Sequence, residues 1–172
     1  SIFRVRAYEV ARRLEDTFGC IDHVQVSCRL PGSVSISVRE RKAAVIWQSG
    51  ERSWWIGSDG SVLGAARVTG QLPIIRDVEG AMAEPSQYLA GVPWRLAQDM
   101  AVALPSTTTY DYVPGLGLVT YATDAKWPVY LGYEGSAENK VAIMRSLVER
   151  LASQGVEIEY IDLRNEHSPM YK

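Results

Sequence analysis

Residues 24–40 read VQVSCRLPGSVSISVRE, and this stretch carries the clearest fold signal in the chain. On both sides of Pro31 apolar residues alternate with polar ones. A period of two predicts strands with one apolar face, and a Pro-Gly pair is a turn signal. The pattern therefore predicts a hairpin of strands 24–30 and 33–41.

A helix precedes this hairpin. Apolar residues recur at three- and four-residue spacing over residues 5–18, which is the spacing of one helix face, and Gly19 stands where a C-cap glycine would. We expect the helix to cover the apolar side of the hairpin, including Val34 and Ile36. Because two strands under one helix are rarely stable alone, we also expect a further strand before Ser1 in a longer parent protein.

After residue 42 the chain changes to short strands separated by turns, with two more helices. Pro93 is expected in the first turn of one helix, and Ser136 or Asn139 caps the other, which ends near Gly155. Pro73 places its apolar segment at a sheet edge, because proline lacks the N–H that a central strand donates. The predicted segments are strands at 44–48, 53–56, 107–113, 116–122, 127–133 and 156–160 running into 161–164, a loop at 64–71 and a last strand within 167–172.

This order of elements predicts an α+β fold. A partial helix-and-hairpin module spans residues 1–42, and a mixed, mainly antiparallel sheet module with two helices spans residues 43–172. In the sequence itself we find no internal repeat that would suggest another architecture.

Composition excludes several classes of protein. The chain has 172 residues with a formal net charge of −2, and its 18 basic residues are scattered, so no basic stripe points to nucleic acid. No apolar run is longer than that at 43–47, which is far short of the ~20 residues of a membrane-spanning helix. The sequence contains no nucleophile elbow, phosphate-binding loop, zinc-protease motif or dinucleotide fingerprint. We therefore expect neither catalysis nor a cofactor.

Two cysteines leave three readings open. Cys20 and Cys28 could be unreacted thiols, a disulfide, or part of a metal site with His23 and Asp22. A closed zinc site needs four ligands, which these residues would only just supply. Cys28 shares its strand parity with apolar neighbours, which favours a buried thiol. Counting alone does not choose between these readings.

Five short segments follow one another in an order that we can compare with a known family. They are Leu30-Pro-Gly-Ser-Val-Ser-Ile-Ser-Val-Arg-Glu-Arg41, Leu72-Pro73, Val129-Tyr-Leu-Gly132, Glu138-Asn-Lys140 and Ile161-Asp-Leu-Arg164. Together they resemble the extracytoplasmic part of the bacterial cell-division family FtsQ/DivIB. Two positions depart from the family pattern: Ala43 stands where a proline is usual, and Asn165 where an aromatic residue is common.

The resemblance implies a POTRA module followed by a β module in a single-pass protein of the cell membrane. It implies a non-catalytic scaffold at the division septum, anchored by a segment that is not in this chain, with FtsB/DivIC-like and FtsL-like proteins as partners. An alternative reading is a POTRA-type protein-binding module of an outer-membrane assembly or secretion system. The large β module argues against that alternative.

The candidate partner-binding site is the C-terminal stretch 164–172, which we expect at a sheet edge. A terminal strand has free N–H and C=O groups on one side, so a partner strand can pair with it. Arg164 could hold a partner carboxylate in a bidentate pair. Pro169 fits a docking strand only if its missing N–H faces away from the pairing edge. The predicted partner-binding residues are Arg164, Asn165, His167, Ser168, Met170 and Tyr171.

Overall fold

A computed structural model describes residues 6–29, 32–67, 72–80, 88–122, 127–155 and 158–172. Its first elements are α1 (Ala7–Thr17), β1 (Ile21–Arg29) and β2 (Ser33–Glu40), and the two strands form a small antiparallel sheet. The remaining strands are β3 (Ala43–Ser49), β4 (Arg52–Gly57), β5 (Val62–Ala65), β6 (Ile74–Asp77), β7 (Thr109–Val113), β8 (Gly117–Tyr121), β9 (Pro128–Gly132), β10 (Ile161–Asp162) and β11 (Met170–Tyr171). The other two helices are α2 (Trp94–Ala103) and α3 (Ala137–Gln154). The predicted α+β class is confirmed.

The nine later strands form one mixed sheet in the order β11-β10-β9-β8-β7-β6-β3-β4-β5. The pairs β3–β6, β6–β7 and β9–β10 are parallel, and the other five are antiparallel. Helices α2 and α3 contact each other, and apolar residues of both belong to the same buried core as the sheet. The core includes Trp47, Ile75, Tyr110, Leu118, Leu131 and Ile161 of the sheet, Leu96 and Met100 of α2, and Met144 and Leu151 of α3.

The hairpin is formed as predicted, but its apolar side is not covered as predicted. Helix α1 packs against β1, where Val24 is buried. On β2, however, Val34, Ile36 and Val38 keep 46%, 50% and 47% of their surface exposed. Helix α1 therefore covers β1 and leaves the apolar side chains of β2 exposed.

The end of α1 also differs from the prediction. Val5 lies outside the described residues, and the C-cap is Phe18 in an extended conformation with φ −117°, rather than Gly19. Gly19 has another role, because a Cβ added there would lie 2.8 Å from the carbonyl oxygen of Val62. The glycine allows the helix-and-hairpin unit to approach β5 closely.

The strand that follows Pro73 lies at the centre of the sheet, so its predicted edge position is wrong. β6 pairs with β3 on one side and β7 on the other. Pro73 stands just before the strand, and its carbonyl accepts a hydrogen bond of 2.8 Å from the N–H of Ile46. A proline at the start of a strand removes no ladder donor from the residues that follow it.

Two further boundaries need correction. Part of the segment predicted as loop 64–71 belongs to β5, and residues 68–71 lie outside the described residues. The strand predicted from residue 156 is confined to Ile161–Asp162, and residues 156–157 are again outside the described part. The predictions of α2 and α3 are confirmed, with Pro93 one position before the first turn in which it was expected. Pro93 is the N-cap of α2, the Ser136 hydroxyl accepts the N–H of Asn139 at the start of α3, and Gly155 ends α3 with φ 64°.

Arg41 connects the small sheet to the large one. Its N–H donates to the carbonyl oxygen of Cys20 at 2.8 Å, and its Nε donates to that of Ile21 at 3.2 Å. Its Nη1 reaches Asp59 of the β4–β5 turn at 2.9 Å. One guanidinium group thus bridges the two sheets across the short connection between β2 and β3.

The cysteines are both free, and the disulfide reading is wrong. Cys20 precedes β1 and Cys28 is near its end, so an extended strand of ~3.3 Å per residue separates them by far more than the ~7 Å limit for a disulfide. His23 lies on the same strand and pairs with Glu15 at 3.3 Å. Among the described residues, no group of three or more His, Cys, Asp or Glu side chains is placed to hold a metal ion.

Candidate partner-binding edge

β11 forms one end of the nine-stranded sheet. In the described part of the chain its only neighbour is β10, with Ile161 opposite Tyr171 and Asp162 opposite Met170. One step further along the ladder, Lys172 and Tyr160 exchange both main-chain hydrogen bonds, at 3.2 and 3.4 Å. In an antiparallel ladder such pairs alternate with non-bonded pairs, so the N–H and C=O of Tyr171 point away from β10. The open edge therefore offers a donor and an acceptor at Tyr171.

Pro169 affects what this edge can bind. Position 169 is two residues from Tyr171 and therefore shares its outward side of the strand, so the N–H that Pro169 lacks is missing on the open edge and the condition set from the sequence is not met there. An incoming strand finds its donor at Tyr171. The side chains of the edge are also accessible: Met170 is 57% exposed and Tyr171 is 53% exposed. Because neighbouring residues alternate, these two side chains lie on opposite faces of the sheet.

The other end of the same sheet is less open. β4 carries an irregularity in register between Trp55 and Ile56 where it meets β5. Beyond it, Ser61 forms an isolated bridge with Tyr88, and the N–H of Leu89 donates to Gly60 at 2.9 Å. Irregularities and covering segments are common ways of protecting an edge strand. Among the described residues, β5 and both strands of the small sheet also have a single strand neighbour, and all residues of β2 are exposed.

Arg164 already has a carboxylate partner within the chain. Its Nε lies 3.0 Å from both oxygens of Asp162, and its Nη2 lies 2.6 Å from Oδ2. The N–H of Arg164 donates to the same carboxylate at 3.0 Å. This internal pair fixes the start of the loop between β10 and β11. The bidentate pair of Arg164 with a partner carboxylate stays a prediction.

The Arg164 hydrogen bonds hold the pKa of Asp162 below its usual value of 3.8, against the opposing effect of burial. The same contact raises the pKa of Arg164. A carboxyl group with a lowered folded-state pKa stabilises the fold fully above its unfolded pKa, and this stabilisation is lost as the pH falls through the folded value.

Asp162→Asn should therefore destabilise the fold at pH 6 and have progressively less effect below pH 3.8. Urea unfolding of both proteins over that range measures the effect. The informative quantity is the difference in the free energy of unfolding, since other carboxyl groups titrate equally in both proteins. A difference that does not change with pH would contradict this account of the Asp162 carboxyl.

The six residues predicted from the sequence are all exposed and all lie between Arg164 and Tyr171. Only Met170 and Tyr171 belong to the strand. Asn165 instead shapes the loop, because its side-chain oxygen accepts the N–H of His167 at 3.1 Å and its carbonyl accepts the N–H of Ser168 at 3.2 Å. Their contacts with a partner stay predictions.

Sequence reasoning did not identify three residues that support this edge. Asp162 lies inside the Ile161–Arg164 motif, and Lys140 lies inside another motif, but neither had been given a role. Glu166 carried no signal in the sequence. Only the structure shows that Lys140 is completely buried and lies 3.7 Å from Glu166.

An aromatic pair lies next to the edge. The rings of Tyr130 and Tyr160 are stacked with centroids 5.1 Å apart and an interplanar angle of 24°. Tyr130 is opposite Asp162 in the ladder, and Asp162 is opposite Met170, so these side chains share one face of the sheet.

In the described ranges, no helix is both long and apolar enough to cross a bilayer.

These features define the class of the protein: an α+β domain with a mixed sheet, helices packed on its core and an open terminal edge strand. A model of the family described as cell division protein FtsQ/DivIB, C-terminal, matches residues 45–164. The chain belongs to the FtsQ/DivIB family of cell-division proteins. The match begins within β3, ends at Arg164 and stops before β11. A comparison with curated protein sequences gives no match.

Proposed function

We propose that this chain is the extracytoplasmic part of a non-catalytic divisome scaffold. Residues 1–42 form a partial POTRA-like domain, and residues 43–172 form the β domain. The scaffold acts at the septum in the cell membrane, where a membrane-spanning segment outside this chain anchors it. Membership of a cell-division family supports the general role.

The observation that carries the proposal is the open edge of β11. Unpaired N–H and C=O groups at an edge can be completed by an incoming strand, with affinity from the main chain and specificity from alternate side chains. Tyr171 supplies both main-chain groups, while Met170 and Tyr171 supply exposed apolar surface on the two faces. The partner is an FtsB/DivIC-like protein that binds through an extended segment, together with an FtsL-like protein.

Tyr171→Pro tests strand addition directly. The substitution removes the outward N–H of residue 171 without removing a hydrogen bond to β10, because the bonded pairs are at the neighbouring positions. We expect affinity for the extracytoplasmic segment of the FtsB/DivIC-like partner to fall roughly tenfold, since a main-chain bond is lost and a partner carbonyl is left unpaired. Isothermal titration calorimetry measures the change.

Two control variants separate the contributions. Tyr171→Ala keeps the N–H and removes the ring, so it should weaken binding less than Tyr171→Pro does. Ile36→Asp alters the other exposed strand, β2, and should leave the affinity unchanged. If Ile36→Asp abolishes binding while Tyr171→Pro has no effect, the hairpin is the docking edge, and the alternative of a POTRA-type binding module is favoured. Circular dichroism confirms that each variant is folded.

A further inference from the structure

Lys140 is a buried charge in the first turns of α3. None of its surface is exposed, although lysine is almost never fully buried unless it is paired. Its Nζ donates to the carbonyl oxygen of Leu163 at 2.6 Å and lies 3.7 Å from Oε1 of Glu166. Both partners lie in the connection between β10 and β11. A side chain of α3 therefore contacts the loop that leads to β11.

Glu166 completes the attachment from the loop side. Its carboxylate accepts the N–H of Ser136 at 2.6 Å and the side-chain amide of Asn139 at 3.1 Å. These donors belong to the N-terminus of α3, where free N–H groups and the helix dipole favour a negative charge. The Glu166 side chain is only 15% exposed, so these interactions are poorly screened by water.

The side chains of Lys140 and Glu166 are closely packed against the turn before α3. A Cβ added at Gly135 would lie 2.9 Å from Cε and 3.1 Å from Nζ of Lys140, and would also overlap the Glu166 carboxylate. Gly135 has φ +110°, a conformation that favours glycine. The turn before α3 is therefore closely packed against the Lys140–Glu166 contact.

β11 has little of its own to hold it in place. It contains two residues and ends one residue before the end of the chain described here. A two-residue strand with one neighbour forms few main-chain bonds, and such segments open locally at low cost. Beyond the main-chain bonds of Lys172 and its 3.0 Å ion pair with Glu159, the loop attachment is a tertiary contact that holds the segment leading into β11.

We propose that Lys140 and Glu166 form a clamp that positions β11 for strand addition. The clamp holds the loop 163–169 against α3, so the edge is ordered before a partner arrives. A partner then binds without meeting the cost of ordering the strand, and preorganisation of this kind raises affinity without adding a contact. This inference rests on the proposed function of β11 as the docking strand.

Two opposing effects act on the charge of Lys140: burial disfavours it, and nearby carboxylates favour it. Burial lowers the pKa of Lys140, while the carboxylates of Glu166, Asp162 and Glu134 act in the opposite direction. Removing the carboxylate of Glu166 would leave the buried ammonium with one partner fewer, which is costly for a group out of contact with water. The two side chains are therefore expected to act as one unit.

The test uses two measurements on Lys140→Met and Glu166→Gln. Hydrogen exchange reports the order of β11 through the amides of Met170 and Lys172, which point towards β10. We expect exchange at these amides to accelerate about tenfold and partner affinity to fall by a similar factor. Exchange at Tyr110 and other central amides of β7 should not change. Arg150→Met, at an exposed position of α3, is the matched control and should change neither quantity.

A variant combination separates positioning from general stability. Adding Lys140→Met to Tyr171→Pro should weaken binding by nearly the factor that Lys140→Met causes alone, because ordering β11 and losing one main-chain bond are separate contributions to affinity. Weaker binding of the double variant without faster exchange at Met170 and Lys172 would overturn the positioning role. If Lys140→Met does not fold, Glu166→Gln still tests the clamp, since Glu166 lies near the surface.

Failure of the clamp and failure of the proposed function are distinguishable. Unchanged exchange at Met170 and Lys172 in Glu166→Gln would overturn the clamp whatever the partner does. Faster exchange together with full partner affinity in both Glu166→Gln and Tyr171→Pro would show that the clamp orders β11 but that β11 is not the docking strand. That second result would overturn both the docking proposal and the positioning role built on it.

Discussion

Replacing Trp47 with alanine lowers the free energy of unfolding by about 3–5 kcal/mol, the usual range for loss of a large buried aromatic side chain. Trp47 has no exposed surface and lies in β3, between β4 and β6. Its ring meets Tyr112 edge-on with centroids 5.6 Å apart. The neighbours cannot collapse into a space of this size without moving strands on both sides. Urea unfolding measures the loss. It is followed by far-ultraviolet circular dichroism, because the substitution also changes the tryptophan fluorescence.

Trp55→Ala is the matched control for this prediction. Trp55 lies on β4 beside Trp54, which is opposite Trp47, so the Trp55 ring is on the other face of the sheet and 39% exposed. We expect its removal to cost clearly less than that of Trp47, because part of its surface already contacts water. Equal losses for the two variants would show that the helix-covered face is not the main core.

Gly117→Ala should destabilise the protein by about 3 kcal/mol or more. Gly117 has φ +80°, and a Cβ at this position would overlap the carbonyl group of Gly132 on β9. The variant combines left-handed backbone strain of ~1–2 kcal/mol with overpacking of ~1–3 kcal/mol, and the group that it meets is backbone, which cannot rotate away. Thermal and urea unfolding give the loss directly.

Gly115→Ala separates the two causes. Gly115 has nearly the same φ, +82°, but a Cβ there would meet nothing within 4 Å. This variant should show only the cost of backbone strain, and the difference from Gly117→Ala is the cost of the contact with Gly132. If the two glycines respond alike, the close approach of β8 and β9 does not limit the fold.

The close approach of β8 to β9 also affects the candidate partner-binding edge. Gly132 packs against Arg164, since a Cβ there would lie 3.2 Å from Cγ of Arg164. Displacing β9 would therefore disturb the Arg164–Asp162 pair at the start of the loop to β11. We expect Gly117→Ala to weaken partner binding as well as stability, whereas Gly115→Ala should leave binding near its original value.

Local features of the fold were predictable because their causes lie within a few residues along the chain. The alternation in 33–38 determines a strand, and the serine and glycine at the ends of α3 determine where that helix begins and ends. The order of the short motifs was enough to indicate the family.

Sequence by itself thus determined the three helices and most of the strands. Only the tertiary structure decided how these segments meet: Pro73 precedes a central strand, α1 does not cover β2, and Arg164 pairs with Asp162 within the chain. It also decided that Lys140, 23 residues away from Leu163, holds the loop before β11. The physical reason is that strand order, burial and charge pairing depend on contacts between distant parts of the chain, and local periodicity contains no information about which of those contacts form.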